Sequence, residues 1–344
     1  MASIPHQMQA VRLRSYRGGA PDLEVRAVPT PSPGAGEVLV KLSAAPVHPA
    51  DLLFCRGQYG FRRALPTTPG FEGSGVVVAT GGGLVGRLLR GRRVAVAVQE
   101  GGEGTWAEYV TVPVAACVPL PDAVSDEQGA TMLVNPATVI GMIETIRRRG
   151  HSGMIHTAAA GTVGRMLLRY AQQEGVPVVA VVRRAAQVDV LQQLGAAVVL
   201  SSADPDFDAR LRRACREYGV SAAFDAVGGA LTGQLLDALP DGADVYVYGM
   251  LSGEDARAPL GGLIFNRKTV HGWWLGHYLR ALGAQGLLRM LPKLRRLADG
   301  ALNSEVAERV SLYGIGEALS RYEADMSRGK VLVVPGREVR PRGV

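Results

Sequence analysis

Lysine is nearly absent: Lys41, Lys268, Lys293 and Lys330 are the only four among 38 basic residues. Cysteine is scarce too. Cys55, Cys117 and Cys215 lie far apart and are odd in number, which argues against a disulfide framework and fits a reducing compartment. Aromatic residues make up 6% of the 344-residue chain. None interleaves with a basic run, and no helix-turn-helix or zinc-finger spacing accompanies the arginines, so nothing but charge argues for nucleic acid. No apolar run approaches the ~20 residues of a membrane span. The opening segment MASIPHQMQAVRLRSY has neither the apolar core of a signal peptide nor the long Arg/Ser-rich stretch of a transit peptide. A cytoplasmic location is the default expectation, with neither membrane nor nucleic acid as partner.

Arginine, glycine and apolar residues fill the space. The net charge is +7, nearly all of it from arginine. Clusters at Arg62–Arg63, Arg87–Arg93, Arg147–Arg149 and Arg289–Arg296 are dispersed and read first as solvated surface. Their alternative use is attraction of an anionic substrate, such as a phosphopantetheine thioester or an acidic carrier protein. The length suits two domains. With 47% hydrophobic residues, 44 glycines and 20 prolines, the chain is globular and rich in turns.

Residues 9–125 read as all-β. Strand-like runs at Gln9–Leu13, Leu23–Val28, Glu37–Val47, Gly73–Thr80, Arg92–Val98 and Ala107–Val112 are separated by Gly/Pro punctuation. A partly open barrel is the natural outcome. Ser125 and Gln128 have the spacing of a capping box. The helix they start is expected to run through Leu133 and break at Asn135-Pro136, with another from Thr138 to about Arg149. Strands and helices then alternate, giving about six parallel strands with helices on both faces. The tail reads as a helix at Leu287–Asp299, a strand near Ala307–Ser311, a helix near Ile315–Arg328 and a strand at Lys330–Pro335. Its strands are expected to rejoin the first domain. Gly336–Val344 is polar and expected to fray.

The most informative stretch runs from Gly153 to Arg184. It reads as strand, glycine turn, amphipathic helix and second strand, the unit that places a dinucleotide's pyrophosphate at a helix N-terminus. The G-x-G-x-x-G fingerprint falls on Ala159, Gly161 and Gly164, with alanine in the first place. Ala160, Gly161, Thr162, Val163 and Gly164 are therefore candidates for the phosphate turn. Past the second strand, where an NAD-binding unit carries Asp or Glu for the ribose 2′-hydroxyl, this chain has Arg183 and Arg184. Guanidinium groups pair with a 2′-phosphate, which a carboxylate would repel. NADPH is the expected cofactor.

The order of these features, with Pro69-Gly-Phe-Glu-Gly73, Gly104-Thr-Trp-Ala-Glu-Tyr109 and Ala158-x-x-Gly161-x-Val163-Gly164, resembles the medium-chain dehydrogenase/reductase superfamily. The resemblance covers nearly the whole chain. It implies an α/β protein: a GroES-like β-barrel catalytic domain (1–125), a Rossmann doubly wound parallel sheet binding NADP (126–272), and a return to the catalytic domain (273–344). It also implies a homodimer formed through an edge strand of the nucleotide domain. The zinc-dependent branch carries a Gly-His-Glu element; here it reads Gly70-Phe71-Glu72, and no cysteine cluster exists. The chain looks like the zinc-free branch, so the metal ligands are expected to be none.

Within that branch three segments resemble the 2-enoyl thioester reductases. They are Leu133-Val-Asn-Pro-Ala-Thr138, Tyr246-Val-Tyr-Gly-Met250 and Val270-His-Gly-Trp-Trp-Leu275. The resemblance implies Tyr59 as proton donor or orienter, a tyrosine that quinone reductases share. It places Asn135, Thr138, Tyr248, Gly249 and Met250 beside the cofactor or acyl group, and Lys330 near a cofactor phosphate. Trp273 and Trp274 either line the acyl pocket or flank the nicotinamide, or are core or dimer-interface aromatics. Met250 stands where the family pattern has its second glycine. Three readings follow. The first is NADPH-dependent reduction of an enoyl thioester carried on CoA or a carrier protein. The second is an NADPH:quinone oxidoreductase. The third is a non-catalytic dinucleotide-binding protein.

Overall fold

A computed structural model describes residues 3–98, 100–297 and 300–336 of the chain. The expected fraying of Gly336–Val344, past Gly336, and the far end of the expected helix Leu287–Asp299 lie outside the described residues. The chain opens with β1 (Gln7–Ser15), β2 (Asp22–Pro29) and β3 (Glu37–Pro46), then α1 (Pro49–Cys55) and β4 (Glu72–Thr80). Next come α2 (Leu84–Leu89), β5 (Arg93–Ala97), β6 (Tyr109–Pro113), β7 (Cys117–Pro119), α3 (Asp126–Ala130) and α4 (Val134–Arg148). The alternating part is β8 (Met154–His156), α5 (Thr162–Gln173), β9 (Val178–Val182), α6 (Val188–Gln193), β10 (Val198–Ser201) and α7 (Phe207–Glu217). It continues through β11 (Ala222–Asp225), α8 (Ala230–Ala238), β12 (Asp244–Val247), α9 (Leu260–Phe265) and β13 (Thr269–Gly272). The last elements are α10 (Leu275–Leu297), β14 (Val306–Val310), α11 (Ile315–Ala324) and β15 (Lys330–Val333).

Two compact units result. Unit 1 is Met1–Val134 with Leu291–Val344, and unit 2 is Asn135–Met290. The unit boundaries, 134/135 and 290/291, fall at the start of α4 and inside α10; the resemblance implied boundaries at 125/126 and 272/273. In unit 1 a seven-stranded sheet has the order β14-β15-β3-β4-β5-β7, with β6 paired to β3. The tail strands β14 and β15 thus pair into the sheet of the N-terminal segment. Val38, Val40, Leu42, Val77, Val94, Val96, Val110 and Val112 alternate inward to make one of its cores. The segment is not all-β. Helix α1 sits inside it, started by Pro49 at the first helical position, and α2 carries the Leu-Val-Gly-Arg-Leu-Leu run.

Unit 2 holds six parallel strands in the order β10-β9-β8-β11-β12-β13. The chain starts at β8, builds outward to β10, then returns to β11, so the strand order reverses between β8 and β11. Such a switch point is where open α/β sheets bind ligands. Strand β9, Val-Val-Ala-Val-Val, is buried at all five positions, as a parallel strand covered on both faces requires. The capping box forms as expected: Gln128 N–H donates to Ser125 Oγ (3.2 Å) and Ser125 N–H to Gln128 Oε1 (2.9 Å). The helix it starts ends at Ala130. The expected break at Asn135-Pro136 does not occur. Pro136 falls in the first turn of α4, where a missing N–H costs no helical hydrogen bond. Helix α10 is interrupted at Gly283, whose φ of 64° is not helical. Among the described residues, no helix is long and apolar enough to cross a membrane.

Candidate active site

The glycine turn of unit 2 is built by β8 and the start of α5. Ala158 takes φ of 51°, so the left-handed residue of the turn is one place earlier than the fingerprint's first position at Ala159. Gly161 caps α5 with no side-chain partner. The amides of Thr162, Val163 and Gly164 therefore open the helix with no intrahelical acceptor. Arg165 Nε donates to Ala160 O (2.9 Å) and closes the turn. Gly164 is fixed by close approach: a Cβ there would lie 2.3 Å from Ala159 O and 2.6 Å from Ala159 Cα. These are backbone atoms, so turn or helix would have to move. We expect Gly164→Ala to cost roughly 1–3 kcal/mol of stability, the usual range for overpacking. Urea unfolding would check it, and a loss under ~0.5 kcal/mol would contradict it.

Arg183 and Arg184 follow the carboxyl end of β9, and both are exposed. The neighbouring strand holds their backbone: Ser202 N–H donates to Val182 O (2.8 Å) and Ser201 Oγ to Arg183 O (3.3 Å). At the switch point, Asp225 is fully buried. Its carboxylate accepts from Thr157 Oγ1 (2.9 Å), Thr232 Oγ1 (2.7 Å), Val227 N (2.9 Å) and Gly228 N (3.2 Å). It ties the ends of β8 and β11 together, a role that sequence reading missed. The signal was an acid at the end of an otherwise apolar strand.

The other unit 2 candidates are placed as follows. Asn135 and Thr138 are buried in α4. Tyr248 and Gly249 follow β12, and the Tyr248 hydroxyl lies 2.9 Å from Nε2 of His156. Burial holds that imidazole neutral, with its pKa lowered to about 3. Met250 is half-exposed. Trp273 packs within the unit. Its Nε1–H donates to Thr145 Oγ1 (3.1 Å), and its ring lies edge-on to Phe224 at 5.6 Å. Trp274 stands 4.9 Å from the His277 ring, with the Arg280 guanidinium 4.9 Å above it.

Tyr59 belongs to unit 1 and is placed by the end of α1. Gly57 has φ of 70°. Gly57 N–H donates to Phe54 O (2.9 Å) and Gln58 N–H to Leu53 O (2.8 Å), the paired bonds of a left-handed helix C-cap. The chain so turned lays the Tyr59 ring against Phe71 (4.8 Å between centroids) and Phe61 (5.2 Å). Arg63 lies over Phe54 and Phe61, at 5.1 and 5.5 Å.

Unit 1 also holds a buried polar cluster that sequence reading did not assemble. His48, Asp51, Glu72 and Lys330 are each at most 2% exposed. Lys330 Nζ donates to Val47 O (3.1 Å) and lies 2.7 Å from His48 Nδ1. His48 Nε2 lies 2.8 Å from Glu72 Oε1, and His48 N–H donates to Asp51 Oδ2 (2.7 Å). Burial pushes Asp51 up to about 7 and draws Lys330 down to about 8. Lys330, expected by resemblance near a cofactor phosphate, is buried here with its ammonium bonded inside this network. The readable signal was a lysine opening the otherwise apolar strand Lys330–Val333.

Residues 34–122 match the family model for the alcohol dehydrogenase GroES-like domain, and residues 162–291 match that of zinc-binding dehydrogenase. The synaptic vesicle membrane protein VAT-1 homolog of Mus musculus is 30% identical over 338 residues, covering 92% of this chain and 80% of its own length. The chain belongs to the medium-chain dehydrogenase/reductase superfamily. A superfamily relative, the mitochondrial enoyl-[acyl-carrier-protein] reductase of Bos taurus, is 27% identical over 282 residues, with 80% of this chain and 74% of that protein covered. A solved structure from Mesorhizobium loti, assigned as an NADPH:quinone reductase, superposes with a TM-score of 0.87 at 32% identity, covering 97% of this chain and all of that one.

Medium-chain dehydrogenases/reductases are oxidoreductases, and two groups are implied by the fold. A dinucleotide fits. The turn from Ala158 to Gly164 ends on three helix-opening amides that have no intrahelical acceptor, and a side chain on its last glycine would meet backbone. Zinc does not fit the residues of unit 1. Phe71 stands in the histidine place and packs in the aromatic cluster. Both ring nitrogens of His48 have partners within the cluster. Burial pushes the Cys55 thiol far up, away from thiolate.

Proposed function

We propose that this chain is an NADPH-dependent reductase of the C=C bond of a 2-enoyl thioester, with hydride delivered to Cβ and a proton to Cα. The observation that carries this reading is the pairing of a phenol, Tyr59, with Phe71 in place of a metal-ligating histidine. With no zinc ligand set beside it, polarisation and proton supply fall to side chains. NADPH, when bound, supplies the hydride. The α5 amides hold the pyrophosphate, Arg183 and Arg184 hold the 2′-phosphate, and Asn135 and Thr138 bond the nicotinamide side. Tyr59 orients the acyl group and holds the proton for Cα. The name of the bovine relative supports an acyl thioester. The net charge of +7 suits phosphopantetheine on CoA or on an acidic carrier protein.

A second reading is reduction of a quinone. The Tyr59–Phe61–Phe71 wall suits a flat conjugated ring, and the M. loti relative carries that assignment. A homodimer belongs to either reading. Strand β13 is the edge of its sheet, and nearby in sequence Leu260, Ile264 and Phe265 are each at least 66% exposed. NADPH oxidation measured with crotonyl-CoA and with a soluble quinone tests the assignment. Turnover of the thioester supports the first reading. Turnover of the quinone alone replaces it with the second. Tight NADPH binding with turnover of neither makes the chain a binding protein.

A further inference from the structure

Four ionisable side chains are buried together in unit 1, yet none of them reaches solvent where a substrate could touch it. Lys330, the first residue of β15, is 1% exposed, His48 2%, and Asp51 and Glu72 are fully buried. The proton positions follow from chemistry. A lysine ammonium has donors and no acceptor; burial draws Lys330 down only to about 8, against the pull of Glu72 and Asp51, so it keeps its charge at neutral pH. His48 Nδ1, 2.7 Å from Nζ, is therefore the acceptor. The ring proton sits on Nε2, from where it is donated to Glu72 Oε1 at 2.8 Å. A neutral imidazole thus bridges a buried cation and a carboxylate. Such a pair persists only when its remaining groups are also satisfied. Val47 O takes another Lys330 proton. Glu72 Oε2 accepts Leu133 N–H (3.0 Å) and Val134 N–H (2.9 Å).

Those two amides are the entry to α4. Val134 is its first residue and the last residue of unit 1. Helix-opening amides lack intrahelical acceptors, and a charged acceptor there steadies the first turn. Asn135 is the next residue in the chain, and Thr138 lies one turn on.

From this the geometry points to a positioning role: the Lys330–His48–Glu72 relay orders the first turn of α4, and with it Asn135 and Thr138, for the cofactor. This inference rests on the NADPH reading given above. The relay touches neither cofactor nor substrate, so its members are positioning residues and not catalytic ones. Asp51 completes the cluster by fixing the His48 main chain through the 2.7 Å bond from its N–H.

The test uses the full chain and three variants. Glu72→Gln keeps the shape but sets an amide N–H against an N–H on one side. His48→Leu breaks the bridge. His48→Asn keeps one acceptor and one donor. Two readouts are taken: NADPH affinity by fluorescence titration, and hydrogen exchange of the peptide spanning residues 131–140 without cofactor. Glu72→Gln and His48→Leu should weaken NADPH binding about tenfold. At saturating NADPH, kcat should stay within about threefold of the parent. Exchange in the first turn of α4 should speed up, and His48→Asn should recover most of both effects. Folded variants with unchanged affinity and unchanged exchange would overturn the role. So would faster exchange with no loss of affinity in a chain that binds NADPH. If the parent binds no NADPH, the cofactor reading fails, and the exchange data alone decide whether the relay orders α4. Should Glu72→Gln not fold, the His48 pair carries the comparison.

Discussion

Tyr59→Phe should lower kcat by about a hundredfold while changing the substrate KM by less than ~3-fold. The phenyl ring keeps the packing against Phe71 and Phe61, so the left-handed cap at Gly57 and the local fold should survive. What is lost is the hydroxyl. A positioned general acid contributes on the order of 10²–10⁴ in rate. The lower end applies here, because solvent can protonate an enolate slowly without help. Equal falls in kcat and kcat/KM would mean the hydroxyl acts in the transition state alone. Steady-state kinetics at saturating NADPH are the check. A kcat within twofold of the parent would remove Tyr59 from the chemistry and leave it as part of the aromatic wall.

The second large effect is expected at the end of β9. Replacing Arg183 and Arg184 together with Ala should raise the KM for NADPH by roughly a hundredfold and leave that for NADH within ~3-fold. Hydrogen bonds to charged groups contribute about 1.5–3 kcal/mol each. Both arginines are exposed, so solvent and salt screen them, and we take the sum near 2–3 kcal/mol, about 1.4 kcal/mol per factor of ten. The effect should shrink with added salt. Neither side chain belongs to a buried core, so thermal stability should hardly change. Equal losses for both cofactors would show that the arginines do not read the 2′-phosphate. Improved NADH binding would be a stronger form of the expected result, since a bare ribose no longer faces a cationic site.

The sequence made the large features readable because each rests on a strong local rule. The capping box at Ser125 and Gln128, the all-valine-and-alanine strand β9, and the apolar run before the glycine turn each point one way. Short helices were the failures. Pro49–Cys55 and Leu84–Leu89 lie among strands, and their few turns do not separate period 3.6 from period 2. Asn135-Pro136 reads as a break because the residue before proline avoids the helical region. In α4 both residues fall in the first turn, where the rule has little force. The backbone of the glycine turn was not readable in the same way. Ala158, and not the fingerprint position, takes the positive φ, which small-residue spacing cannot reveal. Lys330 shows the deeper limit. A lysine at a strand start reads as a phosphate ligand by resemblance, whereas its place under His48 depends on β15 pairing with β3 across the whole length of the chain. Such a partner set is a property of topology.

The central claim is that hydride passes from NADPH to the β-carbon of an enoyl thioester. Its most direct measurement is the fate of a label. NADPH carrying deuterium at C4 of the nicotinamide, with one face labelled in each of two parallel reactions, is incubated with crotonyl-CoA and the full chain. The product is then analysed by mass spectrometry and proton NMR. The account predicts butyryl-CoA with one deuterium at C3 from one of the two faces, none at C2 in ordinary water, and the converse pattern at C2 in heavy water with unlabelled NADPH. NADPH binding with no saturated thioester formed, or label found at C2 in place of C3, would contradict it.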